Sequence, residues 1–134
     1  MSQTSSLTSA LDFSGKSVIV TGGGKGVGRG ITRRFLEAGA EVLICGRNEP
    51  ESVVESGGRQ AAFVAADVRD VEQSKGVVTA AVERFGRLDI LINNAGGAPE
   101  AEAATVSPRF SEAILRLNLI APLNLCQQAN TIMQ

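Results

Sequence analysis

The chain has 134 residues, of which 43% are hydrophobic and 20% are charged, and its formal net charge is −1. This mixture is typical of one globular domain and argues against disorder along the whole chain. The balanced charge predicts no nucleic-acid partner and no membrane partner. The longest apolar runs are also too short to span a bilayer.

Three residue types are missing from the sequence: it contains no His, no Tyr and no Trp. Without His, a Ser-His-Asp hydrolase is excluded within these residues. The two cysteines, Cys45 and Cys126, have no C-x-x-C spacing, so neither a zinc site nor a disulfide framework is predicted. A reducing, cytoplasmic location is therefore expected.

The first fourteen residues are rich in Ser and Thr and lack the basic start and the apolar stretch of a secretory signal. They are predicted to be a flexible tail, and residues 15–134 are predicted to form the folded domain.

Short β-rich runs then alternate with helical patterns. Residues 17–21 are apolar on both faces, as in a central parallel strand. After a glycine-rich turn, a helix ending at Gly39 is predicted from apolar residues at helical spacing, namely Val27, Ile31, Phe35 and Ala38. The next predicted elements are a strand over 41–45, a helix from Pro50 to the Gly57-Gly58 pair, a strand over 61–66, a helix over 71–85 and a strand over 88–93.

The last predicted element is a helix from Ser107-Pro108 to the end of the chain. Its apolar residues cover nearly every face, which is typical of a helix that is buried on more than one side. One side can pack on the sheet, and the other side needs a second subunit or another segment. A homo-oligomer formed through this helix is therefore a hypothesis.

The alternation of strands and helices predicts an α/β fold with a doubly wound parallel sheet, the Rossmann architecture. About four strands and four helices fit in the sequence. A complete dinucleotide-binding fold has roughly six strands, so the predicted sheet is incomplete.

The most informative segment is TGGGKGVG at residues 21–28, which follows a strand and opens a helix. Glycines let the backbone approach a phosphate closely, and the amides at a helix start attract the anion. Arg29 and Gly30 follow the segment where a P-loop would have Lys and Ser or Thr. The GxGxxG spacing also fails, whereas the spacing TGxxxGxG fits.

The TGxxxGxG pattern resembles the cofactor fingerprint of the short-chain dehydrogenase/reductase family. Further matches occur in the same order: Asp67-Val68 after the third strand, an NNAG run at 93–96, and Asn118 on the last helix. The resemblance implies that Asp67 contacts adenine and that Asn118 is catalytic. The predicted cofactor-binding residues are Gly22, Gly24, Lys25, Gly26, Val27, Gly28, Arg47, Asp67, Val68, Asn94, Ala95 and Gly96.

Each match has a simpler alternative. Asp67 could cap a turn, the NNAG run could be ordinary turn chemistry, and Asn118 could be a polar residue on a helix flank. Pro122 adds a local argument, because a proline four residues after Asn118 removes the helical partner of the Asn118 carbonyl and kinks the helix. That carbonyl could hold a water, or the kink could only let the helix follow the sheet.

The residues after the second strand bear on the choice of cofactor. NAD-binding folds usually have an acidic residue there, whereas this chain has Arg47 and, in the glycine turn, Lys25. A guanidinium pairs well with a 2′-phosphate, so NADP(H) is predicted over NAD(H). The alternative is two solvated surface cations.

The resemblance implies an oxidoreductase that transfers a hydride between NADP(H) and a carbonyl or alcohol substrate. The family also uses a Ser and a Tyr-x-x-x-Lys motif, and this sequence contains no Tyr. The 134 residues alone are therefore expected to be inactive. The alternative is a non-catalytic NADP-binding or regulatory fragment.

Overall fold

A computed structural model describes residues 11–134, and the N-terminal residues 1–10 of the predicted tail lie outside the described residues. The helices and strands are, in chain order, β1 (Ser17–Thr21), α1 (Gly26–Glu37), β2 (Glu41–Gly46), β3 (Glu55–Ser56), β4 (Arg59–Gln60), β5 (Ala62–Ala65), α2 (Val71–Phe85), β6 (Ile90–Ile92), α3 (Pro108–Leu115), a π-helical turn (Arg116–Ile120) and α4 (Ala121–Met133).

The main sheet has four parallel strands in the order β5-β2-β1-β6. At the centre of the sheet, Val18 of β1 lies opposite Val42 of β2 on one side and opposite Ile90 of β6 on the other. The predicted parallel sheet of four strands is confirmed. The chain winds outward to β5 and then returns to the other side of β1, so the winding direction reverses between β1 and β6, where open α/β sheets bind ligands.

Both faces of the sheet are covered, as the doubly wound prediction requires. On one face, Val18 and Val20 pack in a core cluster with Leu36 of α1. On the other face, Ile19 packs in a cluster with Val77 of α2 and Leu125 of α4. Successive residues of β1 point to opposite faces, which explains why Val18, Ile19 and Val20 are all apolar.

The buried stripe of α1 differs from the predicted one. The buried residues are Gly28, Thr32 and Leu36, whereas Val27 is 77% exposed. The Thr32 hydroxyl donates to the carbonyls of Gly23 (3.1 Å) and Gly28 (2.9 Å). A glycine and a hydrogen-bonded threonine therefore face the sheet where the helix starts, and apolar periodicity cannot identify such positions.

The predicted helix from Pro50 to Gly57 is wrong. Strands β3 and β4 form an antiparallel hairpin there, with Gly57 and Gly58 as its two-residue loop at φ of +59° and +76°. Two consecutive positive φ angles define a type I′ turn, for which Gly-Gly is a preferred sequence. The pair marks a hairpin and not a helix end.

Helix α2 has the predicted bounds. The Asp70 carboxylate caps it by accepting from the amides of Glu72 (2.9 Å) and Gln73 (3.1 Å). Gly86 ends the helix at a φ of +77°, as a left-handed C-terminal residue does.

The last predicted helix is interrupted by the π-helical turn. The amide of Ala121 donates to the carbonyl of Arg116, five residues earlier. Because Pro122 has no N–H for the Asn118 carbonyl, the chain widens into a π turn there. Ala121, Leu125 and Ala129 are buried, while other large apolar side chains of the segment are exposed, namely Leu115, Leu119, Ile120, Leu123, Ile132 and Met133.

The start of the described part of the chain packs against the end of α1. Phe13 donates from its amide to the Ala38 carbonyl (2.9 Å) and packs edge-on against Phe35. The packed part of the chain thus includes Phe13, before the predicted boundary at residue 15.

Among residues 11–134, no helix has both the length and the apolar character needed to cross a membrane.

Thr21 joins the carboxyl ends of β1 and β6. Its hydroxyl oxygen accepts from the amides of Asn94 (3.0 Å) and Ala95 (2.9 Å). The Asn94 side chain in turn donates to the carbonyls of Thr21 (3.1 Å) and Gly22 (3.2 Å). We call these bonds the Thr21–Asn94 clamp. It fixes the segment after β6 against the glycine turn.

Replacing Gly57 and Gly76 by Ala is expected to change stability in opposite directions. A Cβ at Gly57 would need the left-handed conformation, at a cost of about 1–2 kcal/mol, and would lie 3.3 Å from Glu37 Cα. Gly76 lies inside α2 with nothing within 4 Å of an added Cβ, so Gly76→Ala should stabilise the protein by about 0.5–1 kcal/mol. Urea unfolding of both variants checks this pair, and equal effects would contradict the assigned turn.

Thr21→Val is expected to lower the free energy of unfolding by about 1–3 kcal/mol, because the amides of Asn94 and Ala95 would lose their acceptor. The matched control is Thr21→Ser, which keeps the hydroxyl and should cost about 1 kcal/mol or less for one lost methyl. Denaturant titration measures both values. A serine variant as unstable as the valine variant would show that packing, and not the clamp, is what Thr21 contributes.

Candidate functional site

The first βα corner presents free backbone amides to a cleft. Lys25 is the N-cap residue of α1 and makes no capping bond through its side chain. The amide of Arg29 donates to the Lys25 carbonyl (3.2 Å), which is the first bond of the helix. The amides of the preceding three helical residues therefore have no partner within the helix, and together with the helix dipole they attract an anion.

Two glycines make this corner possible. Gly26 has a φ of +58°, which few residues other than glycine adopt. Gly28 lies so close to the first strand that an added Cβ would collide with the Gly22 carbonyl and with the Asn94 amide group. The spacing TGxxxGxG thus describes one turn and one close helix–strand approach.

The cleft has a volume of about 1150 Å³, above the range of about 300–1,000 Å³ usual for pockets that hold drug-sized ligands. Every residue predicted from the sequence to bind the cofactor lines it. The cleft lies at the carboxyl ends of the strands, where the winding direction reverses. The sequence therefore identified one contiguous surface formed from four separate parts of the chain.

The cleft also contains residues that the sequence analysis did not select. They are Arg29, Cys45, Gly46, Asn48, Glu49, Pro50, Glu51, Ser52, Phe63, Ala66, Arg69 and Leu117. Five of these twelve residues, at positions 48–52, follow β2, and a helix was predicted there from Pro50 onward. Cys45 is 2% exposed, and its burial raises the pKa of the thiol to about 11, so the thiol stays uncharged.

Asp67 is paired with Arg69. Arg69 donates to the two carboxylate oxygens from Nε (3.0 and 3.2 Å) and from Nη2 (2.7 Å), and its amide donates to Oδ1 (3.0 Å). The guanidinium holds the pKa of the Asp67 carboxyl below its ordinary value, and Arg47 adds to the effect. The carboxylate thus closes the turn after β5, which is the simpler alternative considered for Asp67.

The NNAG run also has a structural role. Its Asn94 belongs to the Thr21–Asn94 clamp, so turn chemistry accounts for that side chain. Thr21 is the first residue of the TGxxxGxG fingerprint, but no function for its hydroxyl group was predicted from the sequence. A Thr at the carboxyl end of one central strand can bond the segment that follows the neighbouring strand, and this position could have indicated its role.

Asn118 lies outside the residues that line the cleft, on the π turn. Its side chain accepts from the Gly97 amide and donates to the Gly97 carbonyl, both at 2.9 Å. It also donates to the Ile114 carbonyl (3.0 Å). The side chain therefore connects the π turn to the segment that follows β6.

Lys25 and Arg47 are both exposed at the rim of the cleft. Among residues 11–134, no carboxylate forms an ion pair with either of them. Their positive charges are therefore not neutralised by a direct contact. Glu49 and Glu51 also line the cleft, so the rim carries charges of both signs.

Comparison with curated proteins gives relatives whose names are those of oxidoreductases. The L-fucose dehydrogenase of Oryctolagus cuniculus is 38% identical over 126 residues, which cover 92% of this chain and 44% of the relative. The peroxisomal 2,4-dienoyl-CoA reductase of Arabidopsis thaliana is 36% identical over 120 residues, with 86% and 40% covered. The chain spans less than half the length of these two relatives.

Solved structures resemble the fold closely. An NADH-dependent reductase complexed with NAD superposes with a TM-score of 0.81 at 26% identity, over 91% of this chain and 53% of that one. The Pseudomonas aeruginosa RhlG/NADP active-site complex gives a TM-score of 0.77 at 27% identity, over 91% and 49%. The family model described as short chain dehydrogenase matches residues 16–134. With the fingerprint, the sheet order and this match in agreement, the chain belongs to the short-chain dehydrogenase family.

Proposed function

We propose that the protein is an NADP(H)-dependent oxidoreductase that transfers a hydride between its cofactor and a carbonyl or alcohol substrate. The observation that carries the proposal is the amide-lined corner at the start of α1, with Lys25 and Arg47 at the rim of the same cleft. The substrate class stays this broad because the two relatives, by name, differ in substrate.

The residues of the corner fit a dinucleotide. The amides of Gly26, Val27 and Gly28 would bind the diphosphate, which needs donors and no side chain in the way. Ala95 and Gly96 line the same cleft on the side of β6. When bound, the nicotinamide would supply or accept the hydride.

The 2′-phosphate would lie between Arg47 and Lys25. A dianion next to two cations that have no carboxylate partner gains charge-assisted hydrogen bonds without breaking existing ion pairs. NAD(H) is the second candidate, favoured by Glu49 and Glu51 in the cleft, because a carboxylate can accept from the ribose hydroxyl and would repel a phosphate.

Asp67 and Val68 would contribute to the adenine end of the site. Since Arg69 makes four contacts with the Asp67 carboxylate, few acceptor sites remain for a direct bond to adenine. We therefore propose that Asp67 stabilises the turn and that Val68, which lines the cleft, would contact the adenine.

Asn118 is proposed to act beside the reacting groups through the π turn. The Asn118 side chain is hydrogen-bonded to the Gly97 backbone. The Asn118 backbone carbonyl has no helical N–H partner at Pro122, and we propose that this carbonyl would bind a water. The 134 residues contain no Tyr, so the tyrosine acid that the family resemblance implies is not among them. The alternative is an NADP-binding module without catalysis.

We propose further that the protein is cytoplasmic and forms homo-oligomers through the C-terminal helical segment. The exposed apolar side chains of that segment support the second statement. A monomeric mass of the full-length protein in light scattering would contradict it.

The cofactor proposal is tested by titrating the full-length protein with NADPH and NADH and following cofactor fluorescence. NADPH is expected to bind more tightly by about tenfold or more, and Arg47→Ala should remove about ten- to a hundredfold of its affinity, because bonds to charged groups are worth about 1.5–3 kcal/mol. NADH binding should change little.

The control is Arg84→Ala, which removes the same charge from an exposed position in the last turn of α2. It should leave both affinities unchanged. Equal affinity of the unmodified protein for the two cofactors would refute the NADP preference. A dinucleotide that settles away from the α1 corner in soaked crystals would refute the site itself. Turnover of a carbonyl or alcohol by the full-length protein separates an enzyme from a binding module.

A further inference from the structure

Arg29 connects the glycine turn to the segment after β2. Its Nη1 donates to the carbonyls of Gly24 and Ser52, both at 3.2 Å. Its Nη2 donates to the Ser52 hydroxyl (3.0 Å) and to the Val53 carbonyl (3.2 Å). We call residues 47–54 the crossover loop. One side chain on the first turn of α1 thus binds this loop at two consecutive residues.

The crossover loop is also fixed on either side of these bonds. Pro50 packs against the glycine turn so closely that a Cβ on Gly24 would lie 2.7 Å from Pro50 Cγ. Val54, at the end of the loop, is 1% exposed and belongs to the core cluster under α1. Arg47 is at the free start of the loop, between β2 and the first of these contacts.

The residues of the loop form no helix and no strand, so contacts with the rest of the domain, including those of Arg29, hold it in place. All four acceptors of Arg29 are neutral oxygens, so the contact is a geometric fork and not an ion pair. A planar guanidinium can hold several acceptors at once, whereas a lysine ammonium is a single point donor on a flexible stem. Charge alone therefore cannot replace the arginine.

We propose that Arg29 is a positioning residue for cofactor selection. By holding the crossover loop against the glycine turn, it keeps Arg47 at the rim of the cleft where the 2′-phosphate would lie. The inference rests on the proposed NADP function, and it adds a residue that acts on the phosphate through another side chain. The diphosphate amides of the corner belong to α1 itself and do not need the loop.

The test compares Arg29→Lys and Arg29→Ala with the unmodified full-length protein. Both variants are expected to bind NADPH about tenfold more weakly, the size of one weakened charge-assisted contact. NADH affinity should stay within about twofold, because NADH has no 2′-phosphate for Arg47 to contact. Arg33→Ala removes an exposed arginine one turn further along α1 and is the matched control, expected to change neither affinity.

Several outcomes would overturn the inference. If Arg29→Lys binds NADPH like the unmodified protein, Arg29 acts by its charge and not by holding the loop. If both dinucleotides lose affinity equally, the residue only stabilises the domain. If the unmodified protein shows no preference for NADPH, the proposed cofactor choice fails before Arg29 is tested.

A measurement without cofactor tests the loop directly. A protease that cleaves after glutamate can cut after Glu51, which is exposed in the crossover loop, whereas the bond after Glu49 precedes Pro50 and resists cleavage. Cleavage there is expected to be several-fold faster in Arg29→Lys, at an unchanged Tm, since the ends of the loop stay attached to the core. Ser52→Ala, which removes one acceptor without a change of charge, should give a smaller increase. An unchanged cleavage rate in Arg29→Lys would refute the inference whatever the cofactor preference is.

Discussion

The close approach of α1 to the end of β1 is the constraint on which the rest of the site depends. Gly28 lies against the Gly22 carbonyl with no room for a side chain, and the Thr21–Asn94 clamp holds the segment after β6 to the same point. Because the helix starts this near the sheet, its free amides face the space above the strand ends. If a side chain at position 28 pushed the helix further from the strand, these amides would no longer lie directly above the strand ends.

Much of this arrangement could be predicted from the sequence, because it is encoded locally. The strand over 17–21, the glycine spacing and the helix over 71–85 each follow from short-range rules for φ, helical periodicity and burial. The four segments that were selected from the sequence lie along one cleft, since parallel strands bring their carboxyl ends to one edge of the sheet. Family membership was recognisable from the order of the motifs.

What could not be predicted depends on contacts between distant residues. The Gly57-Gly58 pair is compatible with a helix end and with a hairpin turn, and the packing of Gly57 against the end of α1 is not visible in the sequence. The buried face of α1 is set by Gly28 and by the hydrogen-bonded Thr32, neither of which is an apolar signal. The pairing of Asp67 with Arg69 likewise depends on the geometry of one turn.

The charges in the cleft can be separated by what they contact. Arg69 is paired with Asp67, and Arg29 is held by neutral oxygens, so its charge is fixed in place but not cancelled. Arg47 and Lys25 have no carboxylate partner among the described residues. Glu49 and Glu51 add negative charge to the same cleft. At an ionic strength of about 0.1–0.15 M, dissolved salt largely screens the interaction between exposed charges more than about 8–10 Å apart. In the proposed function, selection between a phosphate and a hydroxyl would therefore come from direct contact, and the position of the crossover loop would decide which side chain makes that contact.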